Sequence, residues 1–306
     1  MKKNLQNPAR LAAIDIGSNA ARLLIKELSP DSEGEEELSK LLFLRFPLRL
    51  GTDVYSFGSV SKEKGERMVE MLLAFRHLMN AYGVDVYRAC ATSALRDAAN
   101  RQSILKNAER KSGIRIELIS GEEESSLIYD NRLNLSRLRG NNLFVDVGGG
   151  STEVSLVVRG ERTAYASYPI GAVRQMEGAV KKDDVKRMDA ELSEWTRNAK
   201  NVTIIGSGGN INKIYRIVSR ERKDDEILPV ELLGKFYRKA VKMDVAERMR
   251  AFGIKADRAD TIVPAAEIFL AVSKAVRAKK ILVPSLGLAD GIITELSLNF
   301  RQKSRR

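Results

Sequence analysis

The chain has one cysteine and one histidine among 306 residues. A single thiol, Cys90, excludes an intramolecular disulfide and suits a reducing compartment. Its apolar strand context reads as a small core residue rather than a nucleophile. With His77 alone, a His-rich zinc centre is excluded, and a Ser/His/Asp triad would hang on one residue inside a helix-patterned stretch. Aromatic residues make up 6% of the chain. No basic helix interleaved with aromatics stands out, so a nucleic-acid partner is not expected. No apolar run approaches the roughly 20 residues that span a bilayer, so no membrane association is expected. The opening MKKNLQNPAR leads straight into a strand pattern rather than an apolar secretory segment. No signal peptide is therefore expected, and the cytoplasm is the expected location. The common nucleotide fingerprints are also missing: there is no G-x-x-x-x-G-K-[ST], and GSGGNI, at 206–211, lacks the last glycine of G-x-G-x-x-G.

What the chain does have is positive charge. Fifty-two Lys and Arg stand against 40 Asp and Glu, a formal net charge of +12. Such a surface attracts polyanions in a salt-dependent way, whether nucleic acid, anionic membrane or inorganic polyphosphate. The sign alone does not choose among them. The basic tail Arg301–Arg306 reads as a solvated end.

The chemistry is concentrated in three glycine-bearing turns. In LFVDVGGGSTEVSLVV, Leu143–Val158, an apolar strand carries Asp146 into Gly148, Gly149 and Gly150. Glycine lets the backbone approach a ligand closely, so successive N–H groups can converge on an anion. Ser151 and Thr152 add hydroxyls, and Glu153 adds a second carboxylate seven positions after Asp146. Two such carboxylates can share Mg²⁺, which favours one or two carboxylates with phosphate oxygens. In LAAIDIGSNAARLLIKEL, Leu11–Leu28, a strand again delivers an aspartate, Asp15, into Gly17-Ser18-Asn19 before a second strand. The two aspartates lie 131 positions apart, a period that fits two similar domains, each offering one phosphate loop to a shared cleft. The third turn, in VTIIGSGGN, carries Gly206, Gly208 and Gly209 ahead of a helical stretch at about 211–220.

Between these turns strands and helices alternate, which predicts an α/β sheet with helices on its faces. SPDSEGEEE, at 29–37, reads as an exposed loop, and 41–50 reads as a strand completing a meander. Ser61 reads as the N-cap of a helix to about Tyr82, ended by Gly83. Strands are predicted at 84–91, 114–119 and 280–283, and helices up to Gly113, from Gly121 to as far as Leu135, and over 183–199, 258–277 and 288–299. The first turn of the helix after Ser120 holds Glu122, Glu123 and Glu124. Acidic residues there complement the helix dipole, and the residues by themselves do not choose one of the three as a catalytic base.

The set AAIDIGSN, CATSALRDA (90–98), ISGEEES (119–125), FVDVGGGSTE and GSGGN resembles, in order and spacing, the exopolyphosphatase/guanosine pentaphosphatase (Ppx/GppA) family. The likeness runs from about Leu11 to Leu298, in a short, two-domain form. It implies two RNase H-like α/β domains of the actin, Hsp70 and sugar kinase type around a central cleft. Their expected limits are 1–121 and 122–287, with a terminal helix, about 288–306, packing back on the first. It also implies a hydrolase that releases terminal orthophosphate from inorganic polyphosphate with Mg²⁺. Guanosine pentaphosphate hydrolysis, a non-hydrolytic polyphosphate or (p)ppGpp sensor, and an ATP-dependent kinase of the same superfamily are the alternatives. A homodimer is in keeping with the resemblance. In the family pattern Glu124 takes the position of the catalytic glutamate, and Asp146 and Glu153 hold the metal. Phosphate binding falls to Gly17, Ser18, Asn19, Arg22, Arg96, Gly148, Gly149, Gly150, Ser151, Thr152, Gly206, Gly208 and Gly209. The chain departs from the pattern at Ser125, where alanine is usual, and in GLADG, 287–291, where an arginine is replaced and the acidic residue is Asp290.

Overall fold

The computed structural model describes residues 8–30, 36–130, 140–199, 201–219 and 226–304. The greater part of the acidic 29–37 segment, the helix extension to Leu135 and the last two residues of the basic tail lie outside the described residues. In chain order the first elements are β1 (Ala9–Ile16), β2 (Ala21–Pro30), β3 (Glu36–Phe46), α1 (Leu50–Phe57) and α2 (Lys62–Ala81). Then come β4 (Val86–Ala91), α3 (Ser93–Asp97), α4 (Arg101–Ser112), β5 (Glu117–Leu118) and α5 (Gly121–Asp130). The central stretch holds β6 (Asn141–Val147), β7 (Thr152–Val158), β8 (Glu161–Tyr168), α6 (Ala172–Met176) and α7 (Lys182–Trp195). It continues with β9 (Thr203–Ser207), α8 (Gly209–Val218), β10 (Ile227–Pro229), α9 (Val230–Ala240) and α10 (Val245–Phe252). The last elements are α11 (Ala256–Ala259), α12 (Ile262–Ala275), β11 (Lys280–Leu282) and α13 (Leu288–Ser304). None of the helices is long and apolar enough to cross a membrane, among the described residues.

Two compact units result, each with one mixed sheet and flanking helices. The first comprises Met1–Ser120, Ser126–Leu133 and Leu288–Arg306; the second comprises Gly121–Ser125 and Asn134–Gly287. The first sheet has strand order β3-β2-β1-β4-β5 and the second β10-β11-β9-β6-β7-β8. Each contains an antiparallel three-strand meander, β1-β2-β3 or β6-β7-β8, whose first strand pairs in parallel with the strand after a crossover. The 131-residue period is therefore visible as a shared topology.

Strand β1 explains why LAAIDI is apolar without alternation. Ala12, Ile14 and Ile16 face a core with α2 and α4, whereas Leu11 and Ala13 face Ile292 and Ile293 of α13. A strand covered on both faces has no solvent side to mark with polar residues. Helix α13 packs closely on the later part of α5: a Cβ at Gly291 would lie 2.2 Å from the Leu127 carbonyl oxygen. Asp290 pairs with Lys26 of β2 at 2.9 Å, which gives the departure from the family pattern a structural partner within the unit.

Several boundaries move. The stretch read as a strand over 41–50 ends at Phe46. Pro47 has no amide N–H for a ladder, and Arg49, at φ 56, turns the chain into α1. The strand read over 114–119 keeps ladder pairing at Glu117–Leu118 alone, although Ile114 and Ile119 are buried. The helix read over 258–277 divides into α11 and α12 at Asp260–Thr261. Ser61 caps α2 as expected, its hydroxyl accepting from the Lys64 N–H at 3.3 Å.

Candidate functional site

The centre of the second unit is built by register. In the β6–β7 hairpin Asp146 lies directly opposite Glu153. On the outer sides, Asp146 pairs with Ser207 of β9 and Glu153 with Ser167 of β8. Directly opposed residues share a face, so one row across four strands reads Ser207, Asp146, Glu153, Ser167. Both serines use their position. The Ser207 hydroxyl donates to Asp146 Oδ1 at 2.6 Å, and the Ser167 hydroxyl donates to Glu153 Oε1 at 2.9 Å.

Glu124 joins this row from the first turn of α5. One carboxylate oxygen from each of Glu124, Asp146 and Glu153 lies within 4.8 Å of the other two. Glu124 and Glu153 are 6% and 2% exposed, so their charges are poorly screened and call for a counterion. An all-oxygen donor set of this kind suits a hard divalent cation. The first turn of α5 is tied down by its neighbours. Ser125 and Ser155 of β7, both buried, hydrogen-bond through their hydroxyls at 2.8 Å. Gly121 leaves no room for a side chain, since a Cβ would meet the Ser167 hydroxyl oxygen at 2.7 Å and the Tyr165 hydroxyl at 2.9 Å. Burial, with the Glu153 charge second, pushes the Tyr165 phenol up to about 12, against a hydrogen bond to Ser167 that lowers it.

The glycine turn between Asp146 and Glu153 is closed by the Gly148 N–H donating to the Ser151 carbonyl at 3.0 Å. Its other carbonyls are gathered by the segment that starts α6. Ala172 N–H donates to the Gly148 carbonyl at 3.0 Å, Val173 N–H and Arg174 N–H to that of Gly149 at 2.7 and 3.0 Å, and Arg174 Nε to that of Gly150 at 2.8 Å. A trans peptide sets its C=O and N–H on opposite sides. Carbonyls drawn toward α6 thus turn the N–H groups of Gly149, Gly150 and Ser151 the other way. Contact is tight, because a Cβ at Gly171 would lie 2.4 Å from the Gly150 nitrogen. Thr152 donates its hydroxyl to the Ile170 carbonyl at 2.5 Å. The third turn adjoins the same strand end: Gly208, at φ 107, would carry a Cβ 2.7 Å from the Val147 carbonyl oxygen and 3.3 Å from Asp146 Oδ1. Gly206 and Gly209 flank it, and Asn210 is braced by Arg258 Nη1 at 3.2 Å and by the Thr261 carbonyl at 3.3 Å.

The remaining candidates lie in the first unit, all but Arg96 in the equivalent hairpin. Gly17 N–H donates to the Ala20 carbonyl at 3.1 Å, the same closure as at Gly148. Here, though, Asp15 faces Arg22 rather than a carboxylate, and the two form an ion pair. Ser18 joins the hydroxyls of Tyr55 and Ser93 at 2.9 Å each, and the Asn19 carbonyl accepts from the Arg49 N–H at 2.9 Å. Arg96, in α3, donates Nη1 to the Ile119 carbonyl at 2.7 Å. Reading the sequence missed Ser167, Ser207, Gly171 and Arg174. The sole signal for the first two is cross-strand register, which no local pattern announces, while YPIGAVR, 168–174, offered a glycine before a short helix.

Residues 31–300 match the model of the Ppx/GppA phosphatase family. A guanosine-5'-triphosphate,3'-diphosphate pyrophosphatase of Photobacterium profundum is 25% identical over 100% of this chain and 63% of its own length. Exopolyphosphatase 1 of Mycobacterium tuberculosis is 26% identical over 93% of this chain and 87% of its own. The chain thus spans about three fifths of the pyrophosphatase relatives it matches. Among solved structures, an Aquifex aeolicus member of the Ppx/GppA family superposes with a TM-score of 0.75 at 25% identity, covering 96% of this chain and 99% of that one. An exopolyphosphatase from Cytophaga hutchinsonii superposes with a TM-score of 0.83 at 23% identity, covering 95% and 98%. Two mixed sheets with flanking helices are the actin-like fold of these structures.

Proposed function

The chain belongs to the Ppx/GppA phosphatase family, and from that premise we propose that it is a hydrolase releasing terminal orthophosphate from inorganic polyphosphate. The observation that carries this reading is the meeting of Glu124, Asp146 and Glu153 within 4.8 Å beside the Gly148–Thr152 turn. Water attacks the terminal phosphorus, the bridging P–O bond breaks, and the electron pair leaves with the shortened chain. Glu124 orients that water and accepts its proton, as a buried carboxylate at the start of a helix is placed to do. Asp146 and Glu153 hold the cation, for which Mg²⁺ is the reading. Bound there, Mg²⁺ would neutralise charge building on the phosphoryl oxygens. The N–H groups of Gly149, Gly150 and Ser151, with those of the Gly206–Gly209 turn, receive phosphate oxygens. In the first unit, Gly17, Ser18, Asn19, Arg22 and Arg96 are proposed for phosphate contacts of the same kind, the two guanidinium groups each carrying several donors.

Hydrolysis of guanosine pentaphosphate is the second reading, favoured by the relatives named guanosine-5'-triphosphate,3'-diphosphate pyrophosphatase. Phosphate release from long-chain polyphosphate and from guanosine pentaphosphate, measured side by side at low salt with Mg²⁺ and with EDTA, tests the reading. EDTA-sensitive release from polyphosphate supports it, and release mainly from the nucleotide moves the chain to the second substrate. Binding of either with no release makes the protein a sensor. Glu124→Gln checks the base: kcat falls about 10²- to 10⁴-fold while KM stays within a few-fold, and undiminished hydrolysis removes Glu124 from the role.

A further inference from the structure

The row across β9, β6, β7 and β8 is symmetrical in chemistry: hydroxyl, carboxylate, carboxylate, hydroxyl. We propose that Ser207 and Ser167 are positioning residues that hold Asp146 and Glu153 in the orientation a divalent cation requires. The proposal rests on the metal-site reading of the acidic cluster and deepens it.

Three observations support the assignment. Each serine stands directly opposite its carboxylate in the ladder, so its place is set by backbone hydrogen bonds on the flanking strand. Each gives its hydroxyl to one oxygen of that carboxylate, Oδ1 of Asp146 and Oε1 of Glu153. A carboxylate has two oxygens, and fixing one by a donor on a rigid strand fixes the direction of the other. Two carboxylates on adjacent strands also repel, and with Glu124 in reach the repulsion favours rotamers that swing apart. A hydroxyl donor on the outer side of each offsets this by delocalising its charge outward, without adding a positive group that would compete with the cation.

The first unit supplies the contrast. The equivalent row there reads Cys90, Asp15, Arg22, Arg45. In that row the aspartate is held by an arginine, and no hydroxyl stands opposite it. The same hairpin register thus yields an ion pair in one unit and, in the other, a hydroxyl-bracketed carboxylate pair suited to a cation. Ser167 is also held in place from behind. Gly121 packs against it too closely for a Cβ.

The test is direct binding of Mn²⁺, a spectroscopic stand-in for Mg²⁺, to the metal-free protein, read from the paramagnetic resonance signal of the unbound ion. Wild type and Asp146→Asn set the limits. Ser167→Ala and Ser207→Ala are expected to bind Mn²⁺ about 10- to 100-fold more weakly, the usual effect of removing a donor to a metal ligand. Their metal-free melting temperatures are measured beside that of wild type. Ser167→Thr and Ser207→Thr, which keep a hydroxyl, are expected to recover part of the loss. Where an alanine variant does not fold, Ser→Cys, similar in size and a much weaker donor, gives the same comparison. Affinities within twofold of wild type in the folded variants overturn the positioning role while leaving the metal reading intact. Wild type and Asp146→Asn binding Mn²⁺ equally overturns both.

Discussion

At the residue scale, the departures from the family pattern carry structural meaning. Ser125, where alanine is usual, pairs with Ser155 in the interior and ties the first turn of α5 to the strand bearing Glu153. Removing one hydroxyl of a buried pair strands the other. Ser125→Ala is expected to cost about 1–3 kcal/mol in denaturant unfolding, and adding Ser155→Ala to recover part of it, since both partners are then apolar. Gly171 is the opposite case, a site where any side chain is too much. Gly171→Ala would drive a Cβ into the backbone of Gly149 and Gly150, costing about 1–3 kcal/mol by overpacking and raising KM for phosphate substrates as the turn is displaced. An unchanged KM would show that the turn does not contact phosphate.

At the element scale, short local patterns are legible in the sequence and couplings between elements are not. The β1 and β2 strands, the Ser61 cap and the Gly113 stop were legible because their signals are local: apolar runs, an N-cap hydroxyl and a glycine at φ 72. Helix α1 has no such local signal. It has 8 residues, and much of what holds it is remote in sequence, including Gly51 N–H donating to the Ser18 carbonyl and an ion pair of Asp53 with Lys64. That pair makes a prediction about pH. Burial raises the Asp53 carboxyl, but hydrogen bonds from Lys64 and Ser61 outweigh it and hold the group below its ordinary 3.8. The folded state therefore binds this proton less readily than the unfolded chain. The resulting stability is full above about 3.8 and drains as pH falls through the lower, folded value. Asp53→Asn is expected to destabilise the protein at pH 7 and to narrow its gap from wild type as the pH drops below 3.8, in urea melts across the acid range. A constant gap would mean that the loss is one of packing alone.

At the scale of the whole molecule, net charge sets a prediction about substrate. A chain of +12 draws a long polyanion more strongly than a short one, and that attraction is screened by salt. KM for long-chain polyphosphate is expected to rise more steeply than KM for guanosine pentaphosphate between about 50 and 200 mM salt. Equal slopes would assign binding to the glycine turns rather than to the surface field. By itself the sequence determined the strand–turn–strand repeat, the three glycine turns, the aspartates at their edges and the family, because each is written in contiguous residues with their own propensities. Which of Glu122, Glu123 and Glu124 faces the carboxylates, and which hydroxyls bracket them, was decided by tertiary structure. Ser207 stands 61 residues from Asp146 and Ser167 stands 14 from Glu153. Only hydrogen-bonded register across four strands makes neighbours of residues so separated, and a shift of one residue would turn either serine to the opposite face.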